Sequence, residues 1–222
     1  MNTNMNRRRF STTLLSAGVA GTALAPFSAA LAQPAGLVEG KDFTRIETPQ
    51  PSGAPAGKVE VLEFFSYACP HCSAFEPTME EWEKKQPADV VVRRVPVPFL
   101  MNAENFMHTY YALETIGAVQ ALQLKIFRAI HNDRQRLDTP ENIAAFVGKN
   151  GGDAAKFLAA FKSFSVATSV NRAKKMMADY KVDSVPTLVV NGRWMTSPSI
   201  AGSSERSLTV VEQLAQRART AK

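Results

Sequence analysis

Apolar positions along this chain follow two rhythms. From Val59 to Phe65 they run almost without a break through Val59, Val61, Leu62, Phe64 and Phe65, with Glu63 as an interrupting charge. Such a run fits a strand buried on both faces of a helix-covered sheet. The spacing then turns helical from Pro70 to about Gln86, where Phe75, Met79 and Trp82 share one face and a kink is expected before Pro77. Val90 to Val95 reads as a second strand, ended by Pro96 and Pro98. Beyond it no strand is credible until residue 182. His108 to Ile116 and Val119 to Ile130 carry apolar residues three and four apart. Thr139 and Pro140 start another helix, Asp153 caps a short one bearing Phe157, Leu158 and Phe161, and a longer one is expected from about Val166 to Tyr180. Val185 to Val190 reads as a strand, Asn191-Gly192 as a tight turn, and Arg193 to Thr196 as its partner. Ser207 to Arg219 closes the chain as an amphipathic helix with Val210, Val211 and Leu214 inward.

The order is strand, helix, strand, helical block, antiparallel strand pair, helix. It predicts an α/β protein: a thioredoxin-like core, in residues 33–100 and 183–222, with an inserted all-helical domain in residues 101–182. A helical block of roughly eighty residues cannot hide every apolar face on the sheet and is expected to need a small core of its own. Before the central strand, Pro49, Pro51, Gly53, Pro55 and Gly57 mark an irregular arm, with a short edge strand at Phe43 to Ile46.

At 222 residues, 45% hydrophobic and 21% charged, the composition is that of an ordinary globular chain with one or two cores. The formal charge of +6 falls to +3 (6 − 3) without Arg7, Arg8 and Arg9. No basic stripe interleaved with aromatics accompanies it, which argues against nucleic acid as a partner. Residues 1–32 have the three parts of an export signal: a basic start, an apolar middle from about Leu14 to Leu31, and Ala30-Leu31-Ala32 as a cleavage site before Gln33. Asn6-Arg7-Arg8-Arg9-Phe10 also fits a twin-arginine leader, so Tat and Sec export both stand.

Export leads to an oxidising compartment, where cysteines usually serve as staples. Here there are two cysteines, Cys69 and Cys72, and a bridge across two residues closes too small a loop to constrain much chain. A C-x-x-C where a strand enters a helix is a redox signature, with Pro70 suited to the first helical position. Cys69, at the helix N-terminus, meets free backbone N–H groups that favour its thiolate, and His71 adds a donor or a positive charge. Haem attachment would need His directly after Cys72, where Ser73 stands, and structural zinc would want a second cysteine pair, so neither metal nor added cofactor is expected. His131, near a helix end, is expected to meet the terminal carbonyls.

Leu62-Glu63-Phe64-Phe65-Ser66 before Cys69-Pro70-His71-Cys72, then Phe75-Glu76, the helical insertion, and Val185-Pro186 ahead of Asn191-Gly192 resemble the DsbA family of periplasmic thiol:disulfide oxidoreductases. The resemblance implies that Cys69 is the exposed reactive cysteine, Cys72 the buried one, Glu63 a buried acid beneath them and Pro186 a cis-proline facing the disulfide. A cis bond after Val185 would leave nearby backbone free to pair with a substrate strand. The family's buried lysine on the second strand has no lysine counterpart here; Arg94 falls nearest. The implied role is a soluble, monomeric periplasmic dithiol oxidase. It would act on unfolded exported polypeptides with free cysteines and be reoxidised by a DsbB-like membrane quinone reductase. A disulfide isomerase or reductase, and a peptide-binding chaperone with incidental cysteines, are the competing readings.

Overall fold

The computed structural model describes residues 36–220, so the expected leader, with its arginine run and cleavage site, lies outside the described residues. In chain order the elements are β1 (Thr44–Arg45), β2 (Val59–Phe65), α1 (Pro70–Glu83), β3 (Val90–Pro96), α2 (Ala103–Thr115), α3 (Val119–His131), α4 (Pro140–Lys149), α5 (Ala154–Phe161), α6 (Phe164–Asp179), β4 (Thr187–Val190), β5 (Trp194–Thr196), α7 (Pro198–Ala201) and α8 (Ser204–Thr220). The strands form one sheet in the order β1-β5-β4-β2-β3. β2 and β3 are parallel and the other pairs antiparallel. None of the described helices is long and apolar enough to cross a membrane.

β2 is buried throughout, because helices cover both faces of the sheet. Its side chains alternate between them. Val59 and Val61 join Phe75, Met79 and Trp82 of α1 and Val211 and Leu214 of α8 on one side. Leu62 and Phe64 meet Val166, Val170 and Ala173 of α6 on the other. By the same alternation Glu63 faces α1. The register of the parallel pair sets Glu63 beside Arg94.

Helices α2 to α5 do not build a separate core of their own. Their cluster, with Leu113, Ile126, Phe127, Ile143 and Phe157, is continuous with Phe65, Tyr67, Cys69 and Cys72. The reason is local: the end of β2 and the turn after it carry two aromatic rings into the helices. Tyr67 packs against Phe65 and Phe127 with centroids 5.2 and 5.1 Å away, and Phe65 meets Tyr110 at 5.3 Å.

Several boundaries differ from the expected ones. α1 passes through Pro77 and ends at Glu83, and α2 begins at Ala103, five residues before His108. The edge strand shrinks to Thr44–Arg45. The strand expected from Val185 starts only at Thr187, since Pro186 has no N–H to give to a ladder. The caps at Thr139 and Asp153 form, each accepting from the backbone N–H three residues on.

The tight turn also anchors the arm. Asn191 and Gly192 both have positive φ, and the Arg193 amide donates to the Val190 carbonyl at 3.0 Å. The Gln50 amide donates to the Gly192 carbonyl at 2.9 Å, so closely that a Cβ at Gly192 would lie 2.0 Å from the Gln50 oxygen. Gly192→Ala is therefore expected to cost about 2 kcal/mol or more in urea unfolding. An unchanged midpoint would contradict this docking.

Candidate active site

Ser66, Tyr67 and Ala68 turn the chain from β2 into α1. The Ala68 amide donates to Ser66 Oγ at 3.2 Å and the Cys69 amide to the Ser66 carbonyl at 3.0 Å. Cys69 is thereby the N-cap of α1, in extended backbone, with Pro70 as the first helical residue. Its sulfur accepts from the Cys72 amide at 3.4 Å, a capping geometry with sulfur in place of oxygen. Cys72 sits one turn further in. The two are free thiols, Cys69 being 5% exposed and Cys72 0%.

The reactive cysteine is thus less open than the exposed position expected of it. Val185 is the reason: the Cys69 thiol donates to the Val185 carbonyl at 3.5 Å, and the Val185-Pro186 peptide is cis. Val185 is partly buried and Pro186 buried, whereas Pro70 and His71 are exposed at the start of the helix.

The two thiols have opposite electrostatics. Cys69 is lowered to about 6 from an ordinary 9.0. The hydrogen bond from the Cys72 thiol is the largest cause, followed among the favourable ones by the Cys72 and His71 amides and the His71 charge. Cys72 is driven far upward, first by burial and then by Cys69 itself. His71 thus contributes both a backbone donor and, as the smaller of the two, its charge.

Beneath the pair lies a buried ionic cluster. The Arg94 guanidinium donates to Glu83 at 2.8 Å and to Glu76 at 3.0 Å. Its Nε lies 3.1 Å from Glu63 Oε2 but is misaligned, leaving both Glu63 oxygens without a hydrogen bond. Distance and angle disagree here; Glu63 is a charge neighbour of Arg94 and not a hydrogen-bonded one. Burial pushes the Glu63 carboxyl up, Glu76 adds to the push, and Arg94 opposes it. The charge of Glu63 also reaches Cys72 and raises it further.

A family model described as thioredoxin matches residues 46–206. The chain is 42% identical over 208 residues to the thiol:disulfide interchange protein DsbA of Burkholderia cepacia, covering 94% of this chain and 95% of that protein. It is 37% identical to the Pseudomonas aeruginosa protein of the same name, over 90% of this chain and 94% of that one. The chain belongs to the DsbA family. A crystal structure of Pseudomonas aeruginosa DsbA superposes with a TM-score of 0.78 at 38% identity, covering 82% of this chain and 94% of that one. As in the family, the fold is thioredoxin-like with an inserted helical domain.

Three residues of the site carried no role in the sequence reading. Glu76 is buried against Arg94, Gln123 of α3 contacts Glu76, and the Tyr67 hydroxyl donates to Gln123. Glu76 had a signal, since it follows Cys72 by four residues on one helix and shares its face. Gln123 sits four residues after Val119 on an otherwise apolar stripe. His131 does not meet the terminal carbonyls of its helix: Nε2 contacts the Tyr67 carbonyl at 2.8 Å, because its ring stacks on Phe127 and points toward the active-site turn.

Ultraviolet titration of the Cys69 thiolate is expected to give a midpoint near 6, not near 9. A depressed thiol pKa stabilises the folded dithiol form above the unfolded value, and that contribution is lost as pH falls through the folded one. The stability of the reduced protein relative to the oxidised one is therefore expected to decline from pH 9.0 to about 6. Arg94→Met leaves buried carboxyls unpaired, and a loss of about 3–5 kcal/mol is expected at neutral pH. The raised Glu63 and Glu76 carboxyls make this loss shrink in acid, where both are protonated; a loss equal at all pH values would refute the ion cluster.

Proposed function

We propose that this chain is a periplasmic dithiol oxidase that passes the Cys69–Cys72 disulfide to exported polypeptides. The observation that carries the reading is the opposition between the thiols, Cys69 held low and Cys72 held high. An acidic Cys69 makes the dithiol the favoured state, so the disulfide is readily given away. Electrons are held in the cysteine pair, with no added cofactor.

A substrate thiolate attacks Cys69 Sγ, the Cys69–Cys72 bond breaks, and Cys72 leaves and takes up a proton. A second substrate thiolate attacks the substrate sulfur of the mixed disulfide and expels Cys69 as a thiolate. The substrate loses two electrons and two thiol protons; the enzyme gains the electrons and one proton, and the other goes to solvent. Glu63, buried and charge-coupled to Cys72, is suited to deliver that proton. The Val185 carbonyl beside Cys69 is suited to pair with the backbone of an extended substrate, and Pro186 keeps that edge open. Residues 33–100 and 183–222 act as the catalytic core and residues 101–182 as the helical insertion, a division supported by α2 to α6 lying between β3 and β4. Return to the disulfide form falls to a DsbB-like quinone-linked membrane protein. The isomerase and reductase readings suit a less oxidising centre than this pair.

Equilibration with glutathione buffers tests the assignment, combined with turnover of a reduced, unfolded polypeptide. The Cys69–Cys72 bridge is expected to open at glutathione ratios that leave ordinary structural disulfides closed, and the polypeptide to gain disulfides stoichiometrically. A bridge as resistant as a structural one would end the donor reading.

A further inference from the structure

Gln123 is a primary amide buried on α3, beside Leu122, Ile126 and Phe127. Burying an amide costs free energy unless both its ends are paired. Here both are. The Tyr67 hydroxyl donates to Gln123 Oε1, and Gln123 Nε2 donates to Glu76 Oε2 at 3.5 Å. The neighbours fix the amide's orientation: reversing it would set its oxygen against the Glu76 carboxylate. Glu76 thus accepts from two sides, from Gln123 on one oxygen and from Arg94 at 3.0 Å on the other.

Glu63 is in the opposite position. Neither of its oxygens has a hydrogen-bond donor, although Arg94 Nε is 3.1 Å away. One guanidinium faces three carboxylates, of which Glu83 alone is substantially in contact with solvent. Two buried carboxyls this close do not ionise independently, and the one with fewer donors keeps the proton.

We propose that Gln123 is a positioning residue for disulfide exchange: by donating to Glu76 it keeps that carboxylate ionised and leaves the proton of the buried acid pair on Glu63, the member coupled to Cys72. This rests on the oxidase reading and deepens it, because the leaving Cys72 then finds its proton already on the acid whose charge it feels. The groups facing the pair are Cys72 and Glu83 on α1, Arg94 on β3, Tyr67 in the active-site turn, and Tyr110 on α2. From β4, the residues opposite are Leu188 and Thr187, which carry no charge. A cavity of about 480 Å³ lined by Glu76, Glu83, Arg94, Tyr110, Glu114 and Gln123 reaches the Glu76 side of the cluster. Glu76 lines that cavity and Glu63 does not, although both carboxyls are buried. The carboxyl shifts agree in direction: Glu76 raises Glu63, and Gln123 opposes the upward push of burial on Glu76.

The test is a carboxyl titration of the oxidised, full-length mature protein by carbon-13 NMR, with Glu63→Gln and Glu76→Gln as assignment controls. In Gln123→Met, Glu76 is expected to bind its proton at higher pH and Glu63 to lose its proton at lower pH, each by about half a unit to one unit. The pH profile of Cys72 alkylation in a Cys69→Ser background is expected to move with Glu63. Tyr67→Phe removes the donor to Gln123 Oε1 while keeping the ring, which loosens the amide's hold on Glu76, and a smaller shift of both carboxyls in the same directions is expected. It decides the matter if Gln123→Met does not fold. Unshifted titrations in a folded variant, or a rate loss uniform across pH, would overturn the proposal. Failure of the oxidase reading itself would appear separately, in the glutathione equilibrium of the unsubstituted protein.

Discussion

One helical turn of depth separates two thiols of identical chemistry, and the rest of the structure maintains that difference. At the mouth of α1, Cys69 has an unspent backbone amide within 3.4 Å of its sulfur. One turn further in, Cys72 has lost its water entirely. A helix terminus concentrates free N–H groups in its first turn, so an anion is sheltered at the cap and penalised immediately inside it. The C-x-x-C spacing converts that gradient into two different acids. The largest share of the lowering at Cys69 comes from the Cys72 thiol itself, whose hydrogen bond to the Cys69 sulfur lowers one acid and raises the other.

Cys72 is kept dry by the cluster of Phe65, Tyr67 and Phe127, and the Glu63 charge that reaches it comes from an ionic cluster centred on Arg94. β2 and β3 run parallel in a register that places Glu63 next to Arg94, and α1 lays Glu76 over both. Arginine suits the position for a geometric reason. Its planar fork presents several donors at once, so Nη1 and Nη2 reach Glu83 and Glu76 while Nε lies against Glu63. A lysine is a single point charge and would have to choose among them. The guanidinium also stays protonated throughout, so proton exchange near neutrality falls to Glu63, whose carboxyl burial pushes up to about 8.

The sheet and the reactive pair were legible because each rests on short-range pattern. The apolar run of Val59 to Phe65, the helical spacing of Phe75, Met79 and Trp82, and the Asn191-Gly192 turn are all set by neighbours in sequence. The ion cluster was half legible. Glu63 and Arg94 stood out as charges in otherwise apolar strands, but only the parallel register shows that they meet, and registers are fixed by tertiary contacts. Gln123 and His131 were not legible in their actual roles. Their partners, Glu76 and Tyr67, lie 47 and 64 residues away, and neither a glutamine nor a histidine on a helix announces which distant group it will meet. Helix starts also moved, as at Ala103, where Asn102 enters with positive φ and not through a side-chain cap.

The cluster shared by Tyr67, Phe127 and both cysteines makes the helical block part of the catalytic wall and not an ornament attached to it. Transplanting Cys-Pro-His-Cys onto a bare five-stranded scaffold would carry over the helix mouth but leave behind its back wall. The recipient would inherit an acidic outer sulfur, while its inner sulfur, no longer screened by Phe65, Tyr67 and the rings of α2 and α3, would see water. In this fold the motif supplies the gradient and the insertion supplies part of the wall that keeps its inner end dry.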